Sequence, residues 1–185
     1  HTAAKATGVA LAAICCIVLG ATWGRAEPAS PRPDVLLITL DTTRPDHLEP
    51  YGATDVETPS LAAIAADGVV FEKAYSVAPI TLVAHSSILT GLDPTHHGVH
   101  DNGTNSLADR FSTLAELLRA QGYRTGGFVS ASVLEKRFHL DQGFDVYDDD
   151  LSAGLVRQPH VVADRPADSV VNAALKWLDS APSDR

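Results

Sequence analysis

DVLLITLD, residues 34–41, is an unbroken aliphatic and β-branched run closed by a carboxylate. Without polar alternation, such a run predicts a strand covered on both faces, as in largely parallel sheets flanked by helices. Sheets of that kind bind ligands at the carboxyl ends of their strands, so Asp41 stands where a metal or a substrate would be met. Asp41 equally suits an Asx-turn or a helix cap leading into Thr42-Thr43-Arg44-Pro45.

Outward from this run the chain alternates. Thr58-Pro59 predicts a helix with threonine as cap and proline in the first turn, with Leu61, Ile64 and Ala65 toward the core and Gly68 at its end. Val69-Val70-Phe71 reads as a short strand. After Ala78-Pro79-Ile80 a helix opens at Thr81, runs through Leu82 to Thr90 and stops at Gly91. Thr113-Leu114-Ala115-Glu116 has capping-box spacing, with Leu114, Leu117 and Leu118 on the apolar face and Gly122 at the end. Arg124 to Ser130 predicts a further strand. Pro166 opens an amphipathic helix carrying Val170, Val171, Ala174, Leu175 and Leu178. The fold class expected is α/β, a three-layer α/β/α sandwich around a largely parallel sheet. That last helix needs a partner strand and none follows it. Residues 34–185 therefore read as the N-terminal part of a catalytic domain, and the chain as a fragment.

Composition narrows the function. The chain has 185 residues, 45% of them hydrophobic, enough for one full core, and disorder is excluded as the main state. Its net charge of -9, with no Lys/Arg cluster, argues against a nucleic-acid partner. Both cysteines, Cys15 and Cys16, lie in the apolar run from Thr7 to Trp23, which Lys5 precedes. Residues 1–26 read as a signal peptide or an uncleaved membrane anchor, and 27–33 as a Pro-rich leader. The expected location is exported, periplasmic or extracellular. Oligomeric state is left open. Without further cysteines the domain has neither a disulfide framework nor a thiolate metal site.

Thr81 places a hydroxyl at a helix N-terminus, where unpaired N–H groups and the helix dipole favour an anion. The plain alternative is an N-cap. His96, His97 and His100 sit in a loop that Gly98 interrupts, and a zinc site there would need further ligands. Asp148-Asp149-Asp150 reads as a solvated turn, lacking the alternating carboxylates and closing glutamate of a calcium loop.

Three blocks in order, VLLITLDTTRPDHLEPYG, TPSLAAIAADGVVFEKAYS and TLVAHSSILTG, resemble the N-terminal half of the sulfatase family in the alkaline-phosphatase superfamily. The resemblance covers Asp34 to the end of the chain. It implies an alkaline-phosphatase-like fold, a divalent metal ion (calcium, manganese, magnesium or zinc, not distinguished) and an anionic ester substrate. The family opens its nucleophile helix with a Cys or Ser, ten residues before the glycine of a Thr-Gly pair, in a C/S-x-P-S-R pattern, and converts that residue to formylglycine. Counting back from Gly91 gives Thr81, followed by Val83, Ala84 and His85 at the proline, serine and arginine positions. Threonine cannot become formylglycine, so none is expected. Asp41 falls on the first of the family's paired metal-binding aspartates, and Thr42 stands at the second.

The resemblance thus implies Thr81 and His85 as catalytic residues, Asp41, Thr42 and Thr81 as metal ligands, and Arg44 and Lys136 as anion-binding residues. Threonine occupies the nucleophile position in phosphoglycerol and phosphoethanolamine transferases of the same superfamily. A phosphothreonine can be released by water or by an acceptor alcohol, whereas a threonine sulfate cannot collapse to an aldehyde. The expected function is a metal-dependent hydrolase of sulfate or phosphate esters. Two alternatives stand beside it: a transferase of the phosphoglycerol or phosphoethanolamine type, and a noncatalytic anion-binding domain. The family completes its metal site with a downstream Asp-His-Gly. The sequence has none, so this stretch alone is expected to be inactive.

Overall fold

Glycine stops and one capping box mark several of the helix ends. The computed structural model describes residues 32–152 and 164–180. The helices are α1 (Pro59–Asp67), α2 (Thr81–Thr90), α3 (Pro94–His97), α4 (Leu114–Ala120) and α5 (Ala167–Asp179). The strands are β1 (Gly126–Phe128) and β2 (Val146–Asp148). Two units are distinguished, one of His1–Thr39 with Asp184–Arg185 and one of Leu40–Ser183. All seven labelled elements belong to the second. Residues 1–26, expected to be a signal peptide or anchor, and most of the expected leader at 27–33 lie outside the described residues. Among the described residues no helix is long and apolar enough to cross a membrane.

Several ends follow from sequence chemistry. Gly91 closes α2 and Gly98 closes α3, at φ 69° and 78°, a left-handed conformation that glycine adopts without steric cost. Thr113 caps α4 in a full capping box: its side chain accepts from Glu116 N–H at 3.1 Å, and Glu116 Oε2 accepts from Thr113 N–H at 2.9 Å. The Thr113 hydroxyl also donates to the Gln142 carbonyl at 2.7 Å, fastening this terminus to a distant turn. Thr58 behaves differently from the expectation. It makes no cap bond in α1; its Oγ1 accepts from Glu49 N–H at 3.0 Å while Glu49 Oε2 accepts from Thr58 N–H.

β1 and β2 run parallel, with Gly126 opposite Val146 and Phe128 opposite Asp148. Residues 129–145 between them include two 3-10 turns, Ser132–Leu134 and Lys136–Phe138. α5 packs on β1 through Trp177, whose ring meets Phe128 at 5.9 Å. The buried core joins Leu82 and Val83 of α2 to Val99, Leu107, Leu134, Phe138, Leu140 and Tyr147. Tyr147 donates its hydroxyl to the Leu134 carbonyl at 2.6 Å, giving its buried oxygen a partner.

Three expectations are corrected. Residues 34–40 form no strand, and Val35, Leu36, Leu37, Ile38 and Leu40 are each more than half exposed. Residues 69–71 likewise form none, with Val69 80% exposed. An apolar run becomes a buried strand only where a ladder partner and covering layers exist, and among the described residues the sheet has only β1 and β2. On α1 Ile64 is exposed, and on α5 Val171, Leu175 and Leu178 are exposed while Trp177 takes the sheet side. These faces carry the right period without a neighbour to bury them.

Candidate active site

Ile80 delivers the chain to α2 in an extended conformation, φ −135° and ψ 124°, and has no side-chain oxygen with which to cap. Thr81 is therefore the first helical residue and not the N-cap. Its hydroxyl points elsewhere: Oγ1 donates to Asp41 Oδ2 at 2.9 Å, across 40 residues of sequence. The second carboxylate oxygen, Asp41 Oδ1, accepts from Thr42 N–H at 3.1 Å. Thr42 holds φ 54°, a left-handed backbone that a β-branched residue rarely adopts. Strain of this kind, on the order of 1–3 kcal/mol, collects where a structure over-determines a backbone for a purpose.

His85 lies one helical turn beyond Thr81. Its Nδ1 meets the Thr81 carbonyl at 2.8 Å, and because a carbonyl only accepts, that nitrogen carries the proton in this contact. The imidazole is thereby oriented by the backbone of the residue that carries the hydroxyl. Asp41 and His85 thus both contact Thr81, the first at its hydroxyl and the second at its carbonyl.

Arg44 and Lys136 are held by other partners. Arg44 pairs with Asp46 in the Pro45–His47 turn, Nε to Oδ1 at 3.0 Å, and the pair holds the Asp46 carboxyl below its usual range. Lys136 donates its backbone N–H to Asp149 Oδ2 at 2.9 Å, with Nζ 3.6 Å from Oδ1 of the same carboxylate. A cavity lined by Pro45, Asp46, Tyr51, Phe71, Glu72 and Ala74 presents two carboxylates and is unsuited to an anion.

His97 is buried, at 2% exposure. Its Nδ1 accepts from Val99 N–H at 3.1 Å, which leaves Nε2–H to donate to Ser87 Oγ at 2.9 Å. Burial, with His100 nearby, lowers its pKa. It is a core residue of the segment that returns along α2.

Sequence reasoning missed Asn102. Its Oδ1 accepts from Leu82 N–H at 2.9 Å, the bond an N-cap side chain would ordinarily make. The signal lay in what precedes Thr81: Ile80 cannot cap, so the oxygen had to come from elsewhere. The adjoining turn is fixed by Asp101, whose Oδ1 accepts from Gly103 N–H and Thr104 N–H at 2.8 and 2.6 Å, bonds that lower its pKa.

Asp41 and Thr81 offer hard oxygen donors of the kind magnesium-like or calcium-like cations take. Among the described residues no group of three or more His, Cys, Asp or Glu could hold a metal. The pair fits such a cation in kind and supplies part of a ligand set.

The sequence profile of the family described as Sulfatase matches residues 33–183. An arylsulfatase of Clostridium perfringens is 36% identical over 88 residues, covering 44% of this chain and 18% of that protein. An N-acetylgalactosamine-6-sulfatase of Canis lupus familiaris is 31% identical over 144 residues, covering 70% and 27%. The chain thus spans well under a third of the length of these relatives. Among solved structures, a phosphonate monoester hydrolase of Agrobacterium radiobacter superposes with TM-score 0.61 at 24% identity, covering 82% of this chain and 39% of that one. A protein in complex with its substrate D-glucosamine-2-N,6-O-disulfate superposes with TM-score 0.60 at 22% identity, covering 75% and 29%. The fold is the alkaline-phosphatase-like α/β fold, represented in part.

Proposed function

The chain belongs to the sulfatase family, and from that premise we propose that it carries the nucleophile segment of a metal-dependent hydrolase of sulfate or phosphate esters, with Thr81 as nucleophile. The observation that carries the reading is the 2.9 Å bond from Thr81 Oγ1 to Asp41 Oδ2. It joins a hydroxyl at a helix N-terminus to the carboxylate at the end of the 34–41 run.

Thr81 Oγ attacks the sulfur or phosphorus of the ester and gives up its proton, the bond to the leaving alkoxide breaks and the alkoxide takes up a proton to depart as the alcohol, and the group is held as a threonine ester. Water then attacks the same centre and returns the Thr81 hydroxyl. The positive end of the α2 dipole stabilises the oxygens of the transferring group, and Asp41 orients the hydroxyl. His85, oriented by the Thr81 carbonyl, is placed one turn away to meet the substrate oxygens or the leaving group. A divalent cation held by Asp41 and Thr81, with Thr42 beside them, would lower the hydroxyl pKa and offset the charge of the ester. Arg44 and Lys136 could serve the anion only by leaving Asp46 and Asp149. Phosphate esters suit a threonine nucleophile better, because the in-line exit through water needs no aldehyde. An acceptor alcohol in place of water gives the transferase variant. We also propose export, from the apolar run at 7–23.

The second reading, a noncatalytic anion-binding domain, is favoured by Thr42 standing where the family has its second aspartate. Paired nitrophenyl sulfate and nitrophenyl phosphate assays on the protein made from its complete coding frame decide between them. Metal-dependent turnover, lost in Thr81→Ala, with a sulfated or phosphorylated Thr81 peptide after acid quench, is the expected result. Full turnover by Thr81→Ala would sink the nucleophile assignment.

A further inference from the structure

The first turn of α2 lacks a local cap, and the oxygen that replaces it comes from 20 residues downstream. A helix begins with N–H groups that have no intrahelical partner, and fixing one of them fixes the direction in which the first residue points. Leu82 N–H is bonded to Asn102 Oδ1, and Leu82 follows Thr81 directly. Because an amide N–H needs an acceptor, the oxygen of the Asn102 carboxamide must be the atom in this contact.

The segment bearing Asn102 is anchored to the same helix twice. Near the C-terminal end of α2 the His97 ring bonds Ser87, and Val99 is buried against the core. At the N-terminal end Asn102 bonds Leu82. Residues 97–102 therefore run back along α2, and the Asp101 turn holds Asn102 at the end of that strap. Thr81, in turn, is bonded on its outer side to Asp41.

We infer that Asn102 is a positioning residue: by capping Leu82 it sets the orientation of the Thr81 hydroxyl for in-line attack. This rests on the assignment of Thr81 as nucleophile. Reacting atoms must be held close to their productive separation, and a displacement near 1 Å costs on the order of a hundredfold in rate.

The test compares Asn102→Ala and Asn102→Asp with the parent in the full-length protein, measuring ester turnover and hydrogen exchange at the Leu82 amide. Asn102→Ala is expected to lower kcat by about tenfold to a hundredfold with KM little changed, and to speed Leu82 exchange. Asn102→Asp keeps the acceptor oxygen, so it retains slow exchange and most of kcat. Its added negative charge raises KM for the anionic ester. A general loss of packing would lower both variants alike and leave no such split. Unchanged Leu82 exchange in Asn102→Ala overturns the inference, and so does fast exchange with unchanged kcat. A parent protein that turns over neither ester overturns the nucleophile assignment. That failure is distinguishable, because exchange at Leu82 still separates the Ala variant from the Asp variant.

Discussion

Ser87 and His97 meet inside the core 2.9 Å apart, and the contact fixes the imidazole as a neutral donor whose other nitrogen accepts from Val99 N–H. Truncating the ring leaves Ser87 Oγ and Val99 N–H without partners in a buried space. His97→Ala should therefore cost about 2–3 kcal/mol of unfolding free energy, read from urea denaturation.

The same contact gives a pH dependence. The folded-state pKa of His97 is depressed by burial, whereas the unfolded chain takes up a proton near the ordinary value of 6.5. The stability this residue contributes is present in full above that value and is lost as pH falls through the folded pKa. The urea midpoint should decline from pH 7 toward pH 5 in the parent and lose that component in His97→Ala. Equal slopes for the two proteins would contradict the assignment of a buried neutral ring.

Gly143 faces the capped end of α4 at close quarters. A Cβ there would lie 2.2 Å from Glu116 N and 2.6 Å from Glu116 Cα, and its φ of 86° is left-handed. Gly143→Ala should destabilise by about 3 kcal/mol or more, against about 1 kcal/mol for loss of the cap in Thr113→Ala. Thermal melts of the two variants side by side test the order; a milder effect at Gly143 would mean the turn can yield.

Thr42 invites a gain of function. An aspartate tolerates the left-handed backbone better than threonine and adds a carboxylate beside Asp41. Thr42→Asp should bind a divalent cation at least about tenfold more tightly by calorimetric titration, a readout independent of turnover. Asp41→Ala should abolish the binding. Indifference of the affinity to both changes would remove this pair from the metal site.

Arg124 holds the far end of α5. Its guanidinium lies 4.1 Å from the Trp177 ring and donates through Nη2 to the Trp177 carbonyl at 2.6 Å and to Ser180 Oγ at 2.9 Å. Arg124→Ala should cost about 1–2 kcal/mol and fray the last turn. In a Trp23→Phe background Trp177 fluorescence should shift to the red. An unchanged emission would mean that the ring is held by Phe128 alone.

The elements legible in the sequence were those with a short-range cause. The Thr113–Glu116 box, the stops at Gly91 and Gly122, and the start of α5 after Pro166 each depend on residues a few positions apart. The contact between Asp41 and Thr81 has no local signature, because no short-range rule links positions 40 residues apart. What escaped was partner choice. The run at 34–40 declares its wish for burial but not what is to pair with it. Asn102 has no local signal that it caps a helix 20 residues earlier. Three histidines in one loop raised the question of a zinc site, and only packing shows that His97 turns inward.

The strap along α2 has a kinetic consequence. Its closing contacts join residues 10 and 20 positions apart, so the loop entropy lost in forming them is small and contact order is low. During synthesis this hairpin of helix and return segment can close as soon as residue 102 leaves the ribosome, before any distant strand exists. Contacts from the helix that bears Thr81 to this strap therefore cost less loop entropy to close than the contact between Arg124 and Trp177, 53 residues apart.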